Sequence, residues 1–285
     1  MEKISIAVGV VTYNPDIQLL FRCISSIINQ VSYTIIVDNG SKNIDDISLM
    51  LQHFNNVVLV KNEKNEGIAY ALNKIGQKSE EFNCSWFLTL DQDSVCDSNM
   101  IAQYLNYIDV ENVAIIVPRI KLRVHSNNSI NAKSGFEYVN LAITSGSLIK
   151  TSAWKQVQGF WDFLFIDKVD DDFCYAVREA NMKIISVNEV VLEHEIGTPR
   201  IHSFFGVKFF TDSYPHFRYY YIARNTIIVS FSHKNLVNNN VVFSLFKRFI
   251  KIVVGEDNKC QKLKSFIKGV KDGINWCIKV RKRNS

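Results

Sequence analysis

Two carboxylates stand one residue apart directly after an apolar run. The run WFLTL at residues 86–90 is followed by Asp91, Gln92 and Asp93. Carboxylate oxygens suit Mg²⁺ and Mn²⁺, so the pair can bind one divalent cation together or divide between the cation and a sugar hydroxyl. A cation at this place would neutralise charge that develops on a diphosphate leaving group. The competing interpretation is a solvated turn, because aspartate is common after strands.

A second acidic cluster lies in the segment FIDKVDDDFC at residues 165–174 and contains Asp167, Asp170, Asp171 and Asp172. Like charges at this density repel one another, which raises the pKa of at least one carboxyl group. A carboxylate with a raised pKa suits a general base, which removes a proton from an attacking hydroxyl. The alternative is that these acids simply cap a helix, since the helix dipole favours negative charge in the first turn.

Three further sites carry weaker signals. Asp38 follows an apolar run and can accept a hydrogen bond from a nucleotide base or ribose, or else form an Asx-turn that ends a strand. Asn65 and Gly67 precede a helical pattern, where small residues let a helix N-terminus approach a phosphate, or pack tightly on a sheet. His194 can act as a third metal ligand or a phosphate contact, although a lone histidine is more often structural.

Alternating strands and helices are predicted to position these groups. Apolar, β-branched runs predict buried parallel strands at Ile4–Val11, Thr34–Val37, Val57–Val60 and Trp86–Leu90. Helices are expected to follow Asn14-Pro15, with Asn14 as N-cap and Pro15 at the first helical position, and to begin again at Asn65. Such βαβ units form a parallel sheet with right-handed crossovers.

Ligands of parallel sheets bind at the carboxyl ends of the strands. Three of the predicted strands end in polar residues, and these are Thr12, Tyr13 and Asn14 after the first, Asp38 after the second, and Asp91 and Asp93 after the fourth. The sequence therefore predicts a binding site at one edge of the sheet. Later elements are less regular, with strands expected at Val113–Val117, Ile143–Ile149 and Lys183–Leu192, and helices at Asp170–Asn181, 216–231 and from Val241 onward.

Charge is distributed unevenly along the 285 residues. The net charge is +5, but residues 246–285 hold 12 of the 33 basic residues and 3 of the 28 acidic ones, which leaves the rest of the chain at −4. Apolar and basic residues alternate in this tail as they do in helices that lie on membrane surfaces, although an ordinary helix packed on the domain is the alternative. The six cysteines form no CxxC pair and are predicted to be buried free thiols. We expect neither a signal peptide nor a transmembrane helix.

Taken together, these segments resemble family-2 glycosyltransferases, and within that family the bacterial rhamnosyltransferase-like group. The resemblance spans about residues 4–230 and rests on the order and spacing of several motifs. These are VVTYNPD at 10–16, VDNGS at 37–41, NEGIAYALN at 65–73, FLTLDQDS at 87–94, TSGSLI at 144–149, FIDKVDDDFC at 165–174, His194 with Gly197, and RYYYIARN at 218–225.

The resemblance implies an α/β GT-A fold, a Rossmann-like nucleotide-binding half with an acceptor half, and an inverting hexosyl transfer with Mn²⁺ or Mg²⁺. It implies that Asp93, Asp91 and His194 bind the metal and that Asp170 is the catalytic base. Many relatives have Glu-Asp at the base motif, whereas Val169 precedes Asp170 here, so Asp171 and Asp172 stay open as alternatives. The donor site it implies consists of Thr12, Tyr13, Asn14, Asp38, Asn65, Gly67, Asp91, Gln92 and Arg224.

The DQDS form of the metal motif is typical of the rhamnosyl group and favours dTDP-rhamnose as donor. The expected acceptor is a lipid-linked saccharide of a bacterial surface polysaccharide, O-antigen or capsule, at the cytoplasmic face of the membrane. We expect a glycosyltransferase domain at 1–235, divided at residue 100, and a basic helical extension at 236–285 that binds an anionic membrane surface. Galactose, galactofuranose or N-acetylglucosamine transfer and a non-catalytic binding protein are the alternatives, and no nucleic-acid partner is expected because no RNA- or DNA-binding motif accompanies the charge.

Overall fold

The structure, a computed structural model, describes residues 4–122, 134–194, 200–204, 207–211, 214–237 and 240–284. Its strands are β1 Ile6–Thr12, β2 Tyr33–Asp38, β3 Val57–Lys61, β4 Trp86–Asp91, β5 Val113–Leu122, β6 Phe136–Val139, β7 Ser147–Lys150, β8 Lys183–His194, β9 Arg200–Phe204 and β10 Val207–Thr211. Its α-helices are α1 Ile17–Ile27, α2 Ile44–Leu51, α3 Ile68–Glu81, α4 Met100–Leu105, α5 Thr151–Gln156, α6 Val169–Glu179, α7 His216–Ser232, α8 Val241–Gly255 and α9 Lys259–Asn284.

Eight strands form one mixed sheet in the order β3-β2-β1-β4-β7-β5-β8-β6. The pairs β3-β2, β2-β1 and β1-β4 are parallel, which confirms the predicted βαβ half. Beyond β4 the pattern changes, because β7 runs antiparallel to both β4 and β5, and β6 runs antiparallel to β8. Strands β9 and β10 form a separate antiparallel hairpin.

The core of the parallel half follows from its apolar strands. Nearly every residue of β1, β2 and β4 is buried, as expected for strands that are covered on both faces. Helix α1 contributes Leu20, Cys23, Ile24 and Ile27 to the same core. Each fully buried aliphatic side chain of this kind stabilises the fold by roughly 1.5–3 kcal/mol relative to exposure.

Two predicted helix starts are wrong by two or three residues. The N-cap of α1 is Asp16, whose Oδ1 accepts from the amides of Gln18 and Leu19 at 2.8 and 3.0 Å. Asn14 is instead in the left-handed region with φ 47°, and its side chain accepts from the amide of Lys42. Because Asn14 is used to fix a neighbouring loop, the helix begins after it. Helix α3 begins at Ile68 rather than at Asn65, with Gly67 as its N-cap.

All six cysteines are free thiols, and four of them are buried as predicted, namely Cys23, Cys84, Cys96 and Cys174. Burial raises the pKa of the Cys96 thiol to about 12, so it stays protonated and packs as a small apolar group. The prediction of burial is wrong for the other two, because Cys260 is exposed and Cys277 is half-buried. Both lie in the polar tail.

The chain divides into two compact units, one of residues 1–163 and 173–195 and the other of residues 164–172 and 196–285. The second unit has its own small core around Tyr219, Ala223, Ile252 and Phe266, from α7, α8 and α9. The functional divisions expected at residues 100 and 235 stay predictions. Within the described part of the chain, none of the helices combines the length and the hydropathy that a membrane crossing requires.

Candidate active site

The carboxyl ends of β2, β1 and β4 lie side by side, since these strands are neighbours in the sheet. Thr12 pairs with Asp38 in the β1–β2 register, and Val11 pairs with Asp91 in the β1–β4 register. The backbone amide of Tyr13 donates to Gln92 Oε1 at 2.9 Å, which connects the end of β1 to the turn after β4. The first unit therefore brings the polar residues of three strand ends to one edge, as the sequence predicts.

Asp38 is held in a tight turn at the end of β2. Its Oδ1 accepts from the hydroxyl of Thr12 at 3.0 Å, and its Oδ2 accepts from the amides of Gly40 and Ser41 at 3.1 and 2.9 Å. The side chain is 1% exposed. This is the turn-forming role that the sequence left open, and it gives the carboxylate a fixed orientation. A contact to a nucleotide base stays a prediction.

The side-chain amide of Asn39 connects the end of β2 to the segment before α3 through hydrogen bonds. Its Oδ1 accepts from the side chain of Asn62 and the backbone amide of Glu66, at 3.1 and 3.0 Å. Its Nδ2 donates to Asn65 Oδ1 and to the carbonyl of Gly67, both at 3.1 Å. Asn65 also accepts from the amide of Gly67 at 2.9 Å. The predicted donor residues Asn65 and Gly67 thus belong to one hydrogen-bonded cluster with the end of β2.

Asp91 to Ser94 form a β-turn, closed by the Ser94 amide donating to the Asp91 carbonyl at 3.1 Å. The hydroxyl of Ser145 accepts from the Asp91 amide at 3.1 Å and lies 2.9 Å from the Ser94 hydroxyl, which fixes the turn against the TSGS segment. Asp91 and Gln92 are half-buried, whereas Asp93 at the tip is exposed. The turn interpretation and the ligand interpretation are therefore compatible, because the turn presents Asp93 outward.

Two carboxylates on a turn fit a divalent cation of the Mg²⁺ or Mn²⁺ type. Such ions are commonly held by one or two carboxylates, with waters and substrate phosphates filling the other positions. Within the described residues, no group of three or more His, Cys, Asp or Glu side chains is arranged to bind a metal by itself. His194, the third predicted ligand, is the last residue of β8, and its side chain lies outside the part of the chain that the structure describes.

The second unit gives the clustered aspartates different partners. The carboxylate of Asp167 accepts hydrogen bonds from Nε and Nη2 of Arg218, with N–O distances of 3.0 and 3.1 Å. Lys168 Nζ donates to Asp171 Oδ2 at 2.5 Å. Asp172 is buried, and its Oδ1 lies 2.9 Å from Nε2 of His233.

Asp170 lies beside Asp171 and has a raised pKa. Burial and the adjacent negative charge of Asp171 raise the pKa of the Asp170 carboxyl from 3.8 to about 6, while the backbone amide of Asp171 opposes the shift with a hydrogen bond of 3.0 Å. Asp170 lies in the first turn of α6, so its position is set by the start of that helix. A carboxylate with this pKa is ionised at neutral pH and can still accept a proton, as a general base requires.

Arg224 and Asn225 lie on α7 and contact the loop before α6. Arg224 donates through Nη2 to the carbonyl of Leu164 at 3.1 Å and through Nε to Asn225 Oδ1 at 2.8 Å. It is only 8% exposed and stacks near Tyr221. The described contacts of Arg224 are thus with the protein backbone and side chains, and its predicted donor-binding role stays a prediction.

Residues 7–173 match the family described as Glycosyl transferase family 2. The chain belongs to this family. The match includes every predicted donor residue except Arg224, together with both carboxylates of the Asp91 turn and Asp170. The protein is therefore a glycosyltransferase.

Similar proteins are found by sequence and by structure. A dTDP-rhamnosyl transferase, RfbF of Shigella flexneri, is 26% identical over 282 residues, which cover 93% of this chain and 94% of that protein. Residues 1–349 of S. aureus TarS, solved with UDP-GlcNAc, superpose with a TM-score of 0.60 at 14% identity over 93% of this chain and 81% of that one. GalNAc-T7, solved with UDP, GalNAc and Mn²⁺, gives 0.59 at 13% identity over 84% and 52%. These structures confirm the GT-A fold, and RfbF supports the rhamnosyltransferase-like group.

Some residues of this glycosyltransferase were missed as participants. Asn39 and Ser145 organise the strand ends, and Arg218 holds the loop before α6. Asn39 and Ser145 lie inside the quoted motifs VDNGS and TSGSLI, so their positions were visible. The side-chain hydrogen bonds of these three residues join segments 23 to 54 residues apart, and only the fold could reveal them.

Proposed function

We propose that the protein is an inverting, metal-dependent rhamnosyltransferase that uses dTDP-rhamnose to extend a lipid-linked saccharide of a bacterial surface polysaccharide, O-antigen or capsule. The observation that carries the transferase chemistry is the convergence of Asp38, Asp91 and Asp93 at the carboxyl ends of three neighbouring strands. Similarity to RfbF across 93% of the chain supports rhamnose as the sugar.

The donor is proposed to bind at this edge. Asp38, oriented by Thr12 and two backbone amides, would accept from the base, and Asp91 would accept from the ribose or bind the metal. A divalent ion held by Asp93 and Asp91, with His194 as a further candidate ligand, would neutralise charge on the diphosphate. Mn²⁺ is present in the GalNAc-T7 complex, which supports Mn²⁺ as the bound ion, and Mg²⁺ is the other candidate.

Asp170 is proposed as the base, ahead of Asp171 and Asp172. Asp171 is paired with Lys168, and Asp172 is hydrogen-bonded to His233. The pKa of the Asp170 carboxyl is raised to about 6 by burial and by the charge of Asp171. In the proposed reaction Asp170 takes the proton of an acceptor hydroxyl, and the resulting oxygen attacks the anomeric carbon opposite the nucleotide. The bond to the diphosphate breaks, dTDP leaves, and the configuration inverts.

A donor panel tests this function directly. Release of nucleoside diphosphate is measured from dTDP-, UDP- and GDP-sugars, with Mn²⁺, with Mg²⁺ and with EDTA. Metal-dependent release from dTDP-rhamnose alone is the expected result. Release from another donor would keep the transferase mechanism and refute the rhamnose assignment. Failure to bind any of the donors in calorimetry would contradict the catalytic interpretation and favour a non-catalytic binding protein.

We also propose that the enzyme works at the inner face of the cytoplasmic membrane and binds it through α8 and α9. The inner side of α8 packs on the core of the second unit through Ile252, Leu245 and Phe249. Its outer side carries a stripe of exposed apolar side chains at helical spacing, namely Val242, Phe243, Phe246, Ile250 and Val253. Helix α8 contains three basic residues and no acidic one. This combination is typical of helices that lie in a membrane interface.

Helix α9 repeats the pattern with more charge. Ile267, Ile274 and Ile278 are 47–58% exposed. The exposed lysines on either side of them are Lys264, Lys268, Lys271 and Lys279. Two such faces from two copies of the chain would repel each other, whereas an anionic lipid surface attracts each lysine by about 1 kcal/mol. Charge complementarity therefore favours anionic lipid over a second copy.

Vesicle binding tests the membrane proposal. We expect the protein to sediment with vesicles that contain phosphatidylglycerol, and to be released by salt. The double variant Phe243→Ser, Phe246→Ser should bind at least about tenfold more weakly, since each substitution removes an apolar contact. Leu49→Ser, which changes a residue 63% exposed on α2, is the matched control. Equal binding by all three proteins, or a dimer that only the double variant dissociates, would refute membrane binding by this face.

A further inference from the structure

The loop before α6 has an unusual backbone. Phe165, Asp167 and Lys168 adopt φ angles of 66°, 63° and 65°, in the left-handed region that residues with a side chain rarely occupy. Each such residue costs on the order of 1 kcal/mol or more and persists only where the surroundings determine it. The contacts that hold the loop therefore have a function beyond general packing.

One side chain lies against three carbonyls of this loop. Nδ2 of Asn225 is 2.9, 2.8 and 2.9 Å from the carbonyl oxygens of Leu164, Ile166 and Asp167, which share its two N–H donors. Asn225 is fully buried. Because Arg224 Nε donates to its Oδ1, the amide has only one orientation, with the NH₂ group toward the loop. A buried amide whose two N–H donors are shared among three carbonyls fixes the relative positions of those carbonyls.

Helix α7, which carries Asn225, is fixed by contacts with the loop and with α9. Arg218 lies seven residues before Asn225, on the same face of α7. It donates hydrogen bonds to Asp167 through two nitrogens. On the other side, α9 approaches so closely that a Cβ at Gly269 would lie 2.2 Å from the carbonyl oxygen of Tyr220. The hydroxyl of Tyr220 also donates to Asp272 of α9 at 3.0 Å.

The loop leads directly into the helix that carries Asp170. The carbonyl of Lys168, the last left-handed residue, accepts the amide of Asp172 at 3.0 Å in the first turn of α6. A change in the loop therefore changes where α6 begins and where the Asp170 carboxyl lies.

We propose that Asn225, oriented by Arg224, is a positioning residue that sets the Asp170 carboxylate for proton removal. The inference rests on the proposed role of Asp170 as the base. It assigns the pair Arg224-Asn225 to the geometry of the acceptor step, in place of the donor contact that the sequence predicts for Arg224.

Asn225→Asp is the sharpest test, because it keeps the shape of the side chain and the acceptor for Arg224 but replaces the NH₂ donor by an oxygen. We expect kcat to fall about 100-fold, as for a misplacement of about 1 Å, with the donor Kd within twofold of wild type. Hydrogen exchange should accelerate in peptides that cover residues 164–172. Asn275→Asp, the same change at an exposed position of α9, should alter neither quantity.

A folded Asn225→Asp with normal kcat and normal exchange would overturn the proposal, and so would a raised donor Kd at unchanged kcat, which would indicate a donor contact. If Asn225→Asp does not fold, Arg224→Lys carries the same test, since lysine can still reach the loop carbonyl but loses the fixed geometry of Nε. An active Asp170→Asn would instead refute the base assignment. Loss of transfer in Asp170→Asn with normal transfer in Asn225→Asp would refute the positioning role alone.

Discussion

Replacing Asp170 by asparagine should remove transfer and at the same time stabilise the fold. The substitution keeps the size of the side chain and leaves Oδ1 to accept from the Asp171 amide. It removes a charge that burial and Asp171 disfavour, as the rise in pKa from 3.8 to about 6 records. A shift of about two pKa units corresponds to about 3 kcal/mol of unfavourable free energy for the ionised form in the folded protein.

The pH dependence of this gain follows from linkage. Because the pKa of Asp170 is higher in the folded than in the unfolded chain, the folded state binds the proton more tightly. The destabilising contribution is therefore absent below about pH 4, grows between about pH 4 and pH 6, and is complete above the folded pKa. Asp170→Asn should thus be more stable than wild type by about 2–3 kcal/mol at pH 8 and by about half as much at pH 5.

Urea denaturation at the two pH values measures the stability, and nucleoside diphosphate release with acceptor measures transfer. Asp172→Asn is the matched control two residues along, and it should lose stability because it weakens a buried contact with His233. If Asp170→Asn is less stable than wild type at pH 8, this would refute the explanation that the ionised Asp170 carboxylate destabilises the folded protein. Near-normal transfer by the same variant would refute Asp170 as the base and make Asp171 or Asp172 the next candidate.

Three further predictions follow from the same geometry. Asp171→Asn removes the neighbouring negative charge, so the pKa of Asp170 should fall and the acidic limb of the kcat/KM profile should move below about pH 6; an unmoved limb would contradict this coupling. Asp93→Ala should abolish Mn²⁺-dependent turnover, whereas Asp97→Ala, at an exposed position four residues along, should retain it. Gly40→Ala should lower the free energy of unfolding by more than about 1 kcal/mol, because Gly40 has φ 81° and a Cβ there would lie 2.7 Å from backbone atoms; unchanged thermal stability would disprove the steric argument.

The parallel half of the fold could be predicted because its signals are local and agree. Continuous apolar runs end in polar residues at Thr12, Asp38 and Asp91, and each run is a buried strand whose end differs from the prediction by one residue. The strand order places these three ends together, so the position of the polar edge that we propose as the donor site could be predicted from the sequence and the rule for parallel sheets.

After residue 100 the starts of β5, β8, α6 and α7 agree with the prediction to within one residue, but the pairing of the strands could not be predicted, because it joins segments far apart in the sequence. Strand β7 begins at Ser147 rather than Ile143, since the preceding TSGS segment turns to bring Ser145 under the Asp91 turn. Its antiparallel direction between β4 and β5 leaves no periodicity in the sequence. Likewise, the acidic pattern at 167–172 predicted at least one raised pKa but not that burial raises the pKa of both Asp167 and Asp170, because the burial and the partners Arg218 and His233, 51 and 61 residues away, depend on the fold.

Within the described residues, the segment 164–172 around the proposed base contains several features that are unfavourable for stability. It contains three left-handed residues, none of them glycine, and the half-buried carboxylate of Asp170 beside a second negative charge. The edge proposed as the donor site has the opposite character, since the carboxylate of Asp38 there accepts three hydrogen bonds. If Asp170 is the base, as we propose, these unfavourable features lie where a carboxylate must be held in a fixed position, and the buried Asn225 holds the loop that leads to it.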